Sequence, residues 1–256
     1  SRDIQLIGPD AGEQACGDVG PGRLIEPDSI VFALNMRFET RLLEGRRVVI
    51  TAGPTREAID PVRYLSNHSS GKMGYALASA SAAAGAKVEL ISGPVTLEVP
   101  DRVTLHSVTT AEEMCAAALK LAHGADIFIG AAAVADYRPA VVADEKLKKH
   151  GDALDLRLIE NPDIIARVAQ SQGRPIVLAG FAAETHDLLE HAREKRIRKG
   201  LDMIIANDVM APETTFGSDQ NAVYLITDSG EAPLALASKR VIAEQIVAAL
   251  AAQLAA

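Results

Sequence analysis

The sequence predicts an α/β protein: a doubly wound, mostly parallel sheet with helices on both faces and an antiparallel hairpin added at one edge. Three observations carry this. After Gly45, short aliphatic runs alternate with segments of helical period, the pattern of strands joined by right-handed crossovers. Hydrophobic residues make up 48% of the chain and aromatics only 4%, with no Trp, a core of Ala, Val, Ile and Leu that suits helices lying on a parallel sheet. The 256 residues suffice for one large domain with a substantial core.

The elements follow in order. "RRVVITAG" (46–53) reads as a buried strand, followed by a long loop and a helix from about Lys72 to Ala84, closed by Gly85. "KVELISG" (87–93) and "VTLHSV" (103–108) are the next strands. Thr110 and Glu113 form a capping box for a helix that ends at Gly124. "ADIFIGAAA" (125–133) is a fourth strand, and "ALDLRLI" (153–159) alternates like an exposed one. "NPDIIARVAQ" predicts a helix with Asn161 at the cap and Pro162 in the first turn. "RPIVLAGFA" and "LDMIIAND" are central strands separated by a helix through "HDLLEHAREKRIRKG". "NAVYLITDSGEAPLAL" is the hairpin, and the Ala-rich end is a last helix.

Residues 1–45 differ in texture from 46–256, and the two segments are read as separate units. "GPDAGEQACGDVGPGRL" has no regular period and is expected to be loop. "DSIVFALNMRFETRLLEG" places Ile30, Leu34 and Phe38 on one helical stripe. The net charge of −8 argues against nucleic acid and acidic membrane as partners. No apolar run approaches membrane-spanning length. Cys16 and Cys115 have neither metal-ligand nor redox spacing, which fits a reducing, cytoplasmic setting. The six histidines do not cluster, so no dedicated protein metal site is expected.

In such a sheet, ligands bind at the carboxyl ends of the strands. Four polar segments fall there: "GPTREAIDPVRYLSNHSSGKMG", "AAAVADYRPA", "FAAET" and "NDV". "SNHSSGKMG" is not a P-loop, since Ser66 and Met73 stand where glycine and Ser or Thr are needed. Ser69 or Ser70 can cap the helix that follows, and Gly71 allows close backbone approach. Its first amides suit a phosphate, or the stretch is an ordinary helix start with Lys72 in solvent. A dinucleotide fingerprint is missing, because Pro54 and Thr55 follow Gly53 and the second strand ends without an acid. "ADEKLKKHGD" is either a solvated charge run or a flexible lysine lid. Lys195 and Lys199 share a helix face, which spacing alone assigns to solvent.

Together, "TAGPTREAIDPVRYLSNHSSGKMG", "AAAVADYRP", "EKLKK", "ENPDII", "GFAAET", "KRIRKGLDMIIANDV" and "SDQNAVYLI" resemble the phosphopantothenoylcysteine synthetase family. The likeness runs from about Arg46 to the end and is closest to the bacterial form fused to a decarboxylase. It implies a Rossmann-like fold and a two-step ligation of coenzyme A biosynthesis, in which 4′-phosphopantothenate is activated by CTP to an acyl-cytidylate and then condensed with L-cysteine. By the same resemblance, Asn67 grips the acyl oxygen and Arg63 orients the substrate. Gly53, Ser69, Ser70, Gly71, Ala132 and Asn207 complete the substrate site. Lys146 is the lid lysine that neutralises charge during acyl-cytidylate formation. The nucleotide falls to Gly130, Ala131, Ala132, Asp136, Lys146, Asn161, Pro162, Asp163, Ile164, Phe181, Lys195 and Lys199. Mg²⁺ is expected on the nucleotide phosphates, and the family is a homodimer. Residues 1–45 resemble the end of the flavin-dependent decarboxylase, with Cys16 matching its proton donor; FMN is not expected to bind this chain.

Overall fold

The computed structural model describes residues 7–13, 19–27, 29–30, 41–148, 151, 153–184, 188–208 and 218–255. The chain divides into two compact units, Ser1–Leu42 and Leu43–Ala256. In the first, β1 (Asp10–Glu13) and β2 (Val19–Arg23) pair antiparallel. The expectation of loop here is corrected. Backbone ladders need no side-chain pattern, so a glycine-rich hairpin carries no period to read. Cys16 and most of the helix expected after Asp28 lie outside the described residues.

The second unit is built on an eight-stranded sheet. Its parallel strands are β3 (Arg47–Ala52), β6 (Lys87–Ser92), β7 (Val103–Ser107), β8 (Ile127–Gly130), β11 (Val177–Glu184) and β12 (Met203–Asp208). β13 (Gln220–Thr227) and β14 (Gly230–Ser238) add the antiparallel hairpin, giving the spatial order β14-β13-β12-β11-β8-β3-β6-β7. After β3 the chain winds outward through β6 and β7, then returns to β8 on the other side of β3. The strand order therefore reverses between β3 and β8, and a crevice opens at their carboxyl ends.

Helices α1 (Lys72–Ala83), α2 (Ala111–Ala122), α3 (Ile164–Gln170), α4 (Leu188–Lys199) and α5 (Lys239–Leu254) cover the two faces. Alternate strand residues point to opposite faces. Val49, Ile91, Phe128, Leu178 and Ile204 share one core with Met114, Cys115 and Val168 from α2 and α3. On the other face, α1 packs against α5 and against β3 and β6. Leu77, Ile242 and Ile246 are buried there. Each such side chain contributes about 1.5–3 kcal/mol on leaving water. The Thr110 capping box forms as expected, with the Thr110 hydroxyl accepting from Glu113 N–H and Glu113 reaching back to the cap amide.

The helix at 164–170 departs from the sequence reading. Its cap is Asp163, whose carboxylate accepts from Ala166 N–H at 3.2 Å, so Asn161 and Pro162 precede the helix. The expected strand at 153–159 contracts to β10 (Leu158–Glu160), paired with β9 (Tyr137–Pro139). A second small ribbon, β4 (Arg56–Ala58) with β5 (Tyr64–Ser66), lies beside β9.

Candidate active site

Two cavities open at the crevice between the ends of β3 and β8. The first, of about 510 Å³, is lined by Thr51, Gly130, Ala132, Asp136, Asn161, Pro162, Asp163, Ile164, Phe181, Lys195 and Lys199 among others. The second, of about 570 Å³, takes Asn67, Ser69, Ser70, Gly71, Lys72, Ala131, Ala132, Asp136, Phe181, Lys195, Asn207, Asn221 and Lys239. Ala132, Val134, Asp136, Phe181 and Lys195 belong to both. The cavities are thus adjoining compartments with a common wall.

The loop after β8 is held by hydroxyls from the end of β3 and from the loop that follows it. Thr51 Oγ1 accepts from Ala132 N–H at 3.4 Å, and Thr55 Oγ1, fully buried, from Ala135 N–H at 3.0 Å. Asn67 bridges the same two loops: its Nδ2 donates to Val134 O at 2.9 Å and lies 3.4 Å from Ala133 O. That contact fixes the carboxamide at the cavity wall with Oδ1 on its far side from those carbonyls.

Gly71 precedes α1 in the left-handed conformation, with φ 77°, and among the described residues no side chain caps the helix. The expectation that Ser69 or Ser70 does so is corrected: Ser69 Oγ instead accepts from Gly71 N–H at 3.3 Å. The first-turn amides of α1 therefore face the second cavity without a side-chain partner among the described residues, carrying the partial positive charge of a helix start. Gly53, also at positive φ (71°), packs behind Gly71. A Cβ on either glycine would come within about 3 Å of Val95 Cγ1, so the backbones meet only as glycines. Gly53 supports this turn and lines neither cavity.

Cations close the far end. Lys72 Nζ lies 2.6 Å from Asp219 and is not simply in solvent. Lys239, half-buried, donates to Ser218 O. Burial, and then the like charge of Lys72, pull the Lys239 ammonium below the usual lysine range against the opposing effect of Asp219. Neither Lys239 nor Asn221 stood out in the sequence reading; both arrive from β13 and α5, far along the chain.

In the first cavity, Gly130 and Gly180 form the floor, where an added Cβ would sit 2.8 and 2.7 Å from Ile165 Cδ1. Asn161 is committed to the protein: its Nδ2 donates to Ala135 O at 2.8 Å and its Oδ1 accepts from Arg138 at 3.0 Å. It shapes the wall between Asp136 and the start of α3. Lys199 pairs with Asp163 at 3.0 Å, and Lys195, one turn earlier on α4, stands at the junction. Spacing alone had assigned both lysines to solvent; the fold turns that helix face into the cavity. Arg63 and Lys146 lie elsewhere. Arg63 binds Asp60 and Leu147 O, Lys146 is exposed, and neither lines either of the two cavities. Among the described residues, no cluster of three metal-ligating side chains occurs, and no helix is long and apolar enough to cross a membrane.

A model of the DNA/pantothenate metabolism flavoprotein C-terminal domain family matches residues 43–254. The chain is 50% identical over 248 residues to the coenzyme A biosynthesis bifunctional protein CoaBC of Vibrio parahaemolyticus. It is 49% identical over 251 residues to the protein of that name from Escherichia coli. These alignments cover 96% of the chain but 62% of each relative, so the chain spans about three fifths of the relatives' length. Among solved structures, the C-terminal domain of a CoaBC protein superposes with a TM-score of 0.72 at 37% identity, covering 84% of this chain and 98% of that one.

Proposed function

This chain belongs to the DNA/pantothenate metabolism flavoprotein C-terminal domain family, and we propose that it is the phosphopantothenate–cysteine ligase of a bifunctional coenzyme A biosynthesis protein. The observation that carries this reading is the pair of adjoining cavities with Asp136, Phe181 and Lys195 in the common wall. A nucleotide in the first and an acid substrate reaching into the second would meet there. A carboxylate resists amine attack until its oxygen becomes a leaving group. Attack of the 4′-phosphopantothenate carboxylate on the α-phosphate of CTP would form the P–O bond of an acyl-cytidylate and expel pyrophosphate. The cysteine amine would then form the amide and expel CMP.

In this scheme the protein binds, aligns and neutralises. Asp136 and Phe181 hold the nucleoside over the glycine floor, and Lys195 and Lys199 meet its phosphates. The uncapped amides of α1, with Ser69, Ser70, Lys72 and Lys239, receive phosphate at the other end. Asn67 holds the acyl group beside Asn207. Mg²⁺ carried on the nucleotide phosphates would withdraw charge from them, and among the described residues no cluster of three metal-ligating side chains offers it a separate cage. The reading concerns residues 46–256; residues 1–45 are taken as the end of a decarboxylase half, with no role for FMN in the ligation, and the setting as cytoplasmic.

A homodimer is part of the same reading. Val62, Tyr64, Tyr137, Val141 and Val142, on and around the two small ribbons, are exposed, Val141 to 82%. Apolar residues so grouped mark an interface. A second copy seated there would receive Arg63 and Lys146, which explains why neither serves its own chain's cavities. The test of function is pyrophosphate release from 4′-phosphopantothenate and Mg²⁺ with CTP or ATP, with and without cysteine. Release specific to CTP, with multiple turnovers only when cysteine is present, is expected. Release with neither nucleotide would overturn the assignment.

A further inference from the structure

The segment that carries Lys146 reads in the sequence as a mobile charge run. The structure ties it down. Ala143 N–H donates to Ile59 O at 3.0 Å, and Leu147 N–H donates to Asp60 Oδ2 at 3.1 Å. Both partners lie in the turn between β4 and β5, closed by Ile59 N–H and Asp60 N–H donating to Arg63 O at 2.9 and 3.3 Å.

Asp60 is the hub of this arrangement. Its side chain has no exposed surface. Oδ1 accepts from Val62 N–H and Arg63 N–H at 2.9 and 2.8 Å. Oδ2 accepts from Arg63 Nε and Nη2 at 3.0 and 2.6 Å, as well as from Leu147 N–H. Arg63 Nη2 closes the triangle by donating to Leu147 O at 3.1 Å. One carboxylate thus fixes the Arg63 guanidinium and grips the peptide next to Lys146. A carboxylate satisfied by this many donors is rigid, and two guanidinium nitrogens donating to one oxygen hold the Arg63 side chain against it.

We propose that Asp60 is the shared positioning residue of Arg63 and Lys146, coupling the residue that orients the acid substrate to the one that neutralises phosphate charge. This rests on the ligase reading above. Asp60 lines neither of the two cavities, so its effect passes through the two residues it holds.

The test uses the full 256-residue chain and Asp60→Asn, read by hydrogen–deuterium exchange of residues 143–148 and by pyrophosphate release. Asn keeps the size but loses the charge that binds three donors at Oδ2. Exchange of the Leu147 amide is expected to quicken roughly tenfold or more, the scale of a charge-assisted hydrogen bond. The kcat is expected to fall by roughly a hundredfold, as for a displaced catalytic group, while KM for CTP holds because Lys146 meets charge that develops only in the transition state. A residue of merely structural value would move KM and melting temperature with kcat. Wild-type exchange at Leu147, or wild-type kcat, in a folded Asp60→Asn chain overturns the proposal. Should that variant fail to fold, Arg63→Lys, which cannot span both Asp60 and Leu147 O, decides by the same exchange measurement. If the unaltered chain releases no pyrophosphate, the ligase reading fails, while exchange still decides whether Asp60 clamps the segment.

Discussion

Replacing Glu244 with Gln isolates one charge in the contact layer of α5. The Glu244 side chain is 9% exposed and its Oε2 has no hydrogen-bond partner among the described residues, while Arg240 Nε stands 3.9 Å from Oε1. Burial pushes the carboxyl up from the usual 4.5 to about 7, against the opposing pull of Arg240. Below pH 4.5 the group is protonated whether the chain is folded or not. As pH rises toward 7 the unfolded chain releases its proton first, so the folded form binds more protons and stability falls across that interval. The interval from 4.5 to about 7, at about 1.36 kcal/mol per pH unit, makes the folded state roughly 3 kcal/mol less stable at pH 8 than at pH 4.5 on this account alone. The substituted glutamine cannot ionise. Its buried amide carries a cost of its own, but one that does not vary with pH, so the quantity to measure is the change in the mutational effect between two pH values. Urea unfolding of both proteins at pH 5 and pH 8 should show the Glu244→Gln chain gaining by about 2–3 kcal/mol at the higher pH, or some 4–12 °C in Tm for a chain of this size. A mutational effect identical at both pH values would mean that the Glu244 carboxylate is already solvated or paired, and would refute the reasoning.

Two further outcomes bear on the site. Asn67→Asp keeps the shape of the wall but sets a second negative charge beside the acyl group; the first step is expected to proceed and the second to stall. Acyl-cytidylate should then accumulate in quenched reactions analysed by mass spectrometry, and normal turnover would remove Asn67 from the mechanism. Val141→Asp places a charge at the most exposed point of the apolar face, and sedimentation should show the dimer shifting to monomer with loss of ligase activity. An unaltered chain that sediments as a fully active monomer would show that Arg63 and Lys146 act without a partner.

The sequence revealed the strands well because aliphatic runs such as Val48–Ile50 and Ile127–Ile129 have no plausible place except a buried sheet. The Thr110 cap was legible for a local reason, three residues apart. The cap of α3 was not: Asn161 and Asp163 are both good caps, and the choice fell to Asp163 because Arg138 and Ala135 O claim the Asn161 carboxamide. The site divides in the same way. Asn67, Ser69 and Asp136 follow strand ends, where position predicts a cavity, whereas Phe181 lies within β11, which runs on to Glu184 past the end that the sequence predicts. Arg63 and Lys146 also sit in such loops, yet a loop's direction is set by its tertiary partners, here Asp60 and Ile59. Lys239 carried no signal, since a lysine at a helix start looks the same in solvent as beside a ligand.

The clamp between the loops after β3 and β8 also bears on how the molecule is made. The hydrogen bond from Ala135 to Thr55 closes 80 residues of chain, that from Asn67 to Val134 closes 67, and the Lys72–Asp219 pair closes 147. Each closure costs chain entropy that only long-range strand pairing can offset. The crevice is therefore a late product of folding, assembled after β3 and β8 have found each other across the four strands, β4 to β7, that separate them in the chain. During refolding, helical signal should return well before any nucleotide can be held, and ligand binding would serve as a clock for the last step of assembly.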